Sequence, residues 1–328
     1  MDAQQLDIVK NHAADLDWVQ AQIDHFLATL PPRLSQVTHG YLQRLDRQRA
    51  QLEWHLPLWL GDTFGVPTAQ ARWVALTNVL GMLYIRIHND LMDAGSYLPQ
   101  QFEQAALAPL LYTRCIHIFS TLFPSSSPFW DHLERYLNEW ARALDWEREY
   151  HWHQAVPYTQ AEIEFVAAGK GAPIKIGFAA IALLAGREAD LPELEKIIDL
   201  RSAIAQIFDD LSDWHEDWQQ GRFNIFLTAA LSEKQRQQQM HLSEDDILQA
   251  IYRSTDVLAL MDWTKAYAEQ VYASTAEFQC YPLNLLCQKA SQMAEQYRLA
   301  HQKGREKALF QQLARLAQVA TQTAAAHF

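Results

Sequence analysis

Residues 205–224 read AQIFDDLSDWHEDWQQGRFN. Asp209, Asp213 and Asp217 recur at every fourth position, with Asp210 and Glu216 among them. A helix turns about 100° per residue, so three residues spaced by four drift only about 40° per step and share one face. Asp is a weak former of helix interiors, and like charges at this spacing repel, more so when desolvated. The preceding KIIDLRSAIAQIF (196–208) is strongly apolar, and Trp214 and Trp218 interleave with the acids. A solvated acidic face does not account for that setting. Carboxylate oxygens select hard cations, and Mg²⁺ takes one or two carboxylates together with waters and phosphate oxygens. Zinc would require His or Cys. The stretch therefore reads as a metal-bearing helix suited to bridging several Mg²⁺ ions to a diphosphate.

Such a site needs a second acidic patch, and YIRIHNDLMDAG (84–95) supplies one. Asn89, Asp90 and Asp93 fall on one side of a helix whose upstream part, WVALTNVLGMLYI (73–85), is apolar. The pattern N-D-x-x-D is weak alone and gains force beside the Asp209 cluster.

The remaining sequence constrains the class. Only 11 Gly and 12 Pro occur in 328 residues, and no GxGxxG or GxxxxGK[ST] is present. Long stretches of Ala, Leu, Gln, Glu and Arg point to an all-α protein. A net charge of −12 without a basic stripe excludes nucleic acid as a partner. Cys115, Cys280 and Cys287 fit neither a zinc spacing nor a disulfide framework, which agrees with a cytoplasmic setting. The polar, acidic start MDAQQLDIVKNHAADLDW is not a signal peptide, and the longest apolar run, IGFAAIALLAG (176–186), is too short to span a bilayer. No integral membrane segment is expected.

Helical periodicity marks residues 14–29, 35–59, 69–94, 101–122, 128–149, 159–167, 173–187, 191–219, 246–276 and 284–320. Turn signals separate them at 31–32, 61–67, 124–128, 169–173 and 186–192, and EKQRQQQM (233–240) reads as an exposed loop. No fixed-period repeat or long linker divides the chain, so residues 1–328 read as a single α-helical domain. YHWH (150–153) is a polar helix end rather than a metal site, because His151 and His153 point to different faces.

Taken in order, these motifs resemble those of the class I isoprenoid synthases, the trans-prenyltransferases and terpene cyclases, over about 180 residues. HNDLMD (88–93) resembles the first aspartate-rich motif DDxxD, with Asn89 in place of its first Asp. ALDWERE (143–149) resembles the prenyltransferase ALDLE stretch, and GKGAPIKIGFAAIALLAG (169–186) the region of the lysine-threonine motif. AQIFDDLSDWHED (205–217) resembles FQIxDDxLD, the second aspartate-rich motif, and GRFN (221–224) sits at the glycine-lysine pair. The resemblance implies an all-α bundle of ten or more helices around a central active-site cavity, three Mg²⁺ ions, a prenyl diphosphate substrate and, since dimers are common in this fold, a homodimer.

Departures weigh on the choice of reaction. Asp209-x3-Asp213-x3-Asp217 also has the spacing of the cyclase motif N/D-D-x-x-S/T-x-x-x-E, and Asn224 is cyclase-like. Chain-elongating prenyltransferases carry two arginines after the first motif and an N-terminal GKRxRP. Here AGSYLPQQFEQAA follows the first motif, LQRLDRQRAQLEWHLP (42–57) lacks the second signature, and Arg142 replaces the Gln before ALD.

The expected ligands are Asn89, Asp90, Asp93, Asp209, Asp210, Asp213 and Asp217. Lys170, Lys175, Arg222 and Arg298 are the candidates for holding diphosphate, Arg298 through a reversed likeness to the cyclase Arg-Tyr pair. Gln206 lies three residues before Asp209 and is placed to orient diphosphate or a quenching water. A carbocation needs a dry cavity with π faces, for which Tyr84, Trp146, Phe178, Phe208 and Trp214 are the candidates. The expectation is a class I terpene synthase acting on a C20 diphosphate, linear or bicyclic, and releasing a cyclised or rearranged hydrocarbon or alcohol. The alternatives are a prenyltransferase that elongates or condenses prenyl diphosphates, head-to-head coupling included, and a non-catalytic prenyltransferase partner subunit.

Overall fold

The computed structural model describes residues 12–45, 51–93, 100–150, 156–237 and 242–325. Among them every α or β element is a helix. In chain order these are α1 (Ala13–Ala28), α2 (Pro32–Arg44), α3 (Gln51–Phe64), α4 (Thr68–Asp93), α5 (Gln101–Leu122), α6 (Phe129–Tyr150) and α7 (Gln160–Leu184). A 3₁₀ turn (Glu188–Asp190) leads into α8 (Leu191–Gln219), α9 (Ile225–Ala230), α10 (Glu233–Gln237), α11 (Glu244–Arg253), α12 (Thr255–Glu277) and α13 (Tyr281–Ala325). The YHWH stretch lies largely outside the described residues.

Three boundaries differ from the periodicity. Residues 159–167 and 173–187 belong to one helix, α7, which runs through GKGAP. Pro173 deprives the Gly169 carbonyl of its donor, a cost of about 3 kcal/mol or more. Burial of Phe178 and Ile181 returns about 1.5–3 kcal/mol each, so the helix continues. Conversely, 246–276 is split at Ser254, whose backbone is extended. Its hydroxyl donates to the Ala229 carbonyl at 2.6 Å and accepts from the backbone N–H groups of Asp256 and Val257, starting α12. Residues 35–59 are two helices: α2 stops at Arg44, where the Trp54 indole takes the Leu45 carbonyl at 2.7 Å. The expected loop at 233–240 begins instead as the short helix α10.

The chain forms two compact units. The first comprises residues 1–140, 171–198 and 275–284, and the second residues 141–170, 199–274 and 285–328. In the first unit α4 is central, packed on α1, α2, α3 and α5. Val74, Ala75, Val79, Leu80, Leu83 and Ile87 are buried around nearly its whole circumference. Pro57 inside α3 leaves the Glu53 carbonyl without an intrahelical donor. Asn78 of α4 fills the gap, its Nδ2 donating to Glu53 O at 2.7 Å and Leu52 O at 3.1 Å. Asn78→Ala is therefore expected to lower stability by about 1–3 kcal/mol, the cost of a buried orphan carbonyl, read as a shift of the denaturant midpoint. An unchanged midpoint would contradict this account of α3.

In the second unit Ile204 and Ile207 of α8 pack with Ile163, Val166, Phe226 and Ile247. That burial fixes the rotation of α8 and sends Asp209 and Asp213 to its exposed face. Two helices, α5 and α7, are long and apolar enough to cross a membrane by length and composition. Residues 176–184 of the apolar run thus belong to a longer apolar helix than the run's own length indicates, and 72% of the apolar window of α7 is buried inside the protein, against 33% for α5.

Candidate functional site

The second unit carries the denser acidic motif. Asp209 and Asp213 are exposed, Asp217 is half-buried and Asp210 is buried. Asp210 points inward: Oδ2 accepts from the Ile225 backbone N–H at 2.7 Å, and Oδ1 accepts from Gln206 Nε2 at 2.7 Å. Burial pushes its carboxyl up to about 7, against the opposing charge of Lys170. Both oxygens of Asp210 are thus engaged within the protein, and the Gln206 amide is engaged with them.

The end of α8 is shaped by Gly221, whose φ of +70° suits a residue without a Cβ. Arg222 N–H bonds to Asp217 O at 2.8 Å and Gly221 N–H to Trp218 O at 3.1 Å, a Schellman closure. The chain then turns back so that Asn224 caps α9, its Oδ1 accepting from Leu227 N–H at 2.8 Å. Asn224 Nδ2 donates to Asp217 Oδ2 at 2.8 Å and to Asp210 O at 3.0 Å. Burial raises the Asp217 carboxyl, opposed by the Asn224 hydrogen bond and the positive charge of Arg222.

The other candidates of this unit have definite surroundings. Lys170 Nζ lies 2.6 Å from Glu147, itself buried. Arg298 pairs with Glu295 at 3.0 Å, and Lys265 reaches the same carboxylate at 3.2 Å. Tyr297 meets Phe208 in a tilted ring contact with centroids 4.9 Å apart. Trp146 and Trp214 pack partly buried against the core, and Trp146 also meets Tyr158 and Phe165.

The first unit carries the other motif at the end of α4. Asp90 Oδ2 accepts from Tyr41 Oη at 2.5 Å and from Arg44 Nη2 at 3.1 Å, and Gln104 Nε2 donates to Tyr41 Oη at 2.8 Å. Burial and the Asp90 hydrogen bond push the Tyr41 hydroxyl up to about 12, so it remains a donor. Asn89 Oδ1 is buried and has no hydrogen-bond partner among the described residues. The Asp93 side chain lies outside the described residues. One turn upstream, Tyr84 meets His88 at 4.5 Å and Tyr112 at 5.4 Å between ring centroids. Tyr84, Ile85, Gly81, Tyr112, Pro173 and Gly177 line an apolar slot of about 40 Å³. Lys175 is buried, 3.2 Å from Glu139 and over the Tyr136 ring. Phe178 is wholly buried.

No three carboxylate, imidazole or thiol groups converge as a ready metal cage among the described residues. The donor set fits Mg²⁺ in its usual form, one or two carboxylates per ion completed by waters and substrate oxygens. Asn89 Oδ1, a buried acceptor without a donor among the described residues, and the exposed Asp209 and Asp213 offer oxygen atoms of the type such an ion would take. Sequence reasoning did not foresee Tyr41, Gln104 and Glu147. Tyr41 and Asp90 are 49 residues apart, beyond the reach of any local pattern.

No family model and no curated protein matches this sequence. Solved structures do match in fold. A decaprenyl diphosphate synthase from Rhodobacter capsulatus superposes with a TM-score of 0.72 at 15% identity, over 88% of this chain and 98% of that one. A geranylgeranyl pyrophosphate synthase from Lactobacillus brevis gives 0.73 at 14%, over 89% and 100%. A polyprenyl synthase from Caulobacter crescentus, complexed with calcium and isoprenyl diphosphate, gives 0.71 at 16%, over 87% and 96%. Two of the three are diphosphate or pyrophosphate synthases by name, and the third is a polyprenyl synthase. At these identities the likeness is one of architecture, and the chain has the all-α fold of the class I isoprenoid synthases.

Proposed function

We propose that this chain is a cytoplasmic enzyme that ionises an allylic prenyl diphosphate with Mg²⁺ and joins the resulting cation to a second prenyl unit. Residues 1–328 are read as a single domain, since each unit is discontinuous in sequence. Bound Mg²⁺, three ions in this reading, would neutralise the charge that develops on the departing diphosphate. Asp209, Asp213 and Asp217 are the ligands this reading assigns in one unit, and Asn89, Asp90 and Asp93 those it assigns in the other. Tyr41 and Arg44 fix Asp90 through one oxygen. Arg222 and Lys170 bring positive charge to the Asp217 and Asp210 turns, and Lys175 and Arg298 are retained as further diphosphate contacts; Lys170, Lys175 and Arg298 each have a carboxylate partner that diphosphate would have to displace or share.

The observation that favours prenyl transfer is the architecture shared with prenyl diphosphate synthases. The apolar slot of about 40 Å³ beside Tyr84 has room for little more than a water, so Tyr84 is read as a stop against which a growing tail would end. Tyr84→Ala is expected to lengthen the main product by at least one C5 unit, read by mass spectrometry of the dephosphorylated products. An unchanged product would remove the slot from the argument. We extend the reading to a homodimer that covers part of α5, on which Phe102 is 77% exposed. Light scattering of the purified protein tests it.

A terpene synthase is the second reading, favoured by the four-residue spacing of Asp209, Asp213 and Asp217 and by the absence of basic residues after the first motif. The two separate in one experiment. C10, C15 and C20 diphosphates, and a bicyclic C20 diphosphate, are offered with Mg²⁺, each with and without isopentenyl diphosphate. Longer chains only when isopentenyl diphosphate is added support transfer, and a new hydrocarbon or alcohol from a single substrate overturns it in favour of cyclisation.

A further inference from the structure

We infer that Asn224 is a positioning residue that orients the Asp217 carboxylate for metal binding; the inference rests on the Mg²⁺ reading above. Three hydrogen bonds converge on one buried side chain. Two partners of Nδ2, the Asp217 carboxylate and the Asp210 carbonyl, accept only, and the partner of Oδ1, the Leu227 N–H, donates only. The amide orientation is therefore set by chemistry, and all three contacts are satisfied together.

The arrangement ties the two ends of the acidic helix segment to one point. Asp210 reaches the same point from the other side, its Oδ2 taking the Ile225 N–H. The Schellman closure at Gly221 supplies the reversal that brings Asn224 back, and the same reversal sets Arg222 beside Asp217. One oxygen of Asp217 is thus tethered, which restricts the rotation of the carboxylate. Partners that hold a ligating carboxylate commonly change metal affinity about 10–100-fold when removed.

Capping and positioning are separable by substitution. Asn224→Ser keeps a strong helix cap and loses the amide donors. Asn224→Asp keeps the cap and the shape and presents an acceptor to Asp217. Mn²⁺ binding in the presence of inorganic pyrophosphate, followed by electron paramagnetic resonance, gives a readout independent of turnover. Both variants are expected to bind Mn²⁺ about 10–100-fold more weakly, with melting in chelator showing that they are folded. In an Asp217→Ala background, Asn224→Ser is expected to cause no further loss. A full additional loss in that background, or unweakened binding in the single variants, overturns the inference and leaves the metal reading standing. Absence of Mn²⁺ binding by the unsubstituted protein overturns the metal reading and the inference with it.

Discussion

Asp213→Ala is expected to reduce turnover by at least about 100-fold while leaving the protein folded. Asp213 stands on the exposed face of α8, midway between Asp209 and Asp217. Ile204 and Ile207 bury the opposite side, so removing this carboxylate touches no core contact. Exposed substitutions of this kind usually change stability by no more than about 0.5 kcal/mol. What is lost is a charge that would help hold the cation against the leaving diphosphate. Pyrophosphate release and thermal melting measured on the same preparation separate the two effects. Full activity in the variant would remove the second acidic motif from the chemistry.

Three residues earlier the expected outcome is reversed. Asp210→Ala should destabilise the protein by about 2–3 kcal/mol, because the buried Ile225 N–H and the Gln206 amide both lose their acceptor. Activity would fall only as the turn carrying Arg222 and Asn224 loosens. The urea midpoint reads this directly. A variant as stable as the unsubstituted chain would mean that Asp210 does not anchor the turn, and would return it to the set of free metal ligands. Adjacent carboxylates in one motif thus have opposite surroundings.

That contrast marks what the sequence made legible. The fourfold spacing of Asp209, Asp213 and Asp217 is a local pattern, and helical geometry turns it into a shared face without further information. The order of the acidic and lysine-bearing stretches carried the fold in the same way. The inward turn of Asp210 was not legible, because it depends on where the chain reverses after Gly221. A cap signal was present at Asn224, directly before the apolar IFL, but its second use on Asp217 emerges only once the reversal is folded. Tyr41 and Glu147 were invisible for a simpler reason: their partners Asp90 and Lys170 lie 49 and 23 residues away. Helix continuity through Pro173 was missed because burial outweighed a strong local breaker. The slot at Tyr84 and Tyr112 is set by side-chain packing from several helices, which no local pattern reveals.

The central claim is metal-dependent cleavage of a prenyl diphosphate. Its most direct test is pyrophosphate release from C10, C15 and C20 prenyl diphosphates in the presence of isopentenyl diphosphate, with Mg²⁺ or with EDTA. Release from at least one chain length with Mg²⁺, abolished by EDTA and by Asp213→Ala, is the predicted result. No release from any of them, or release that persists in EDTA, would contradict it.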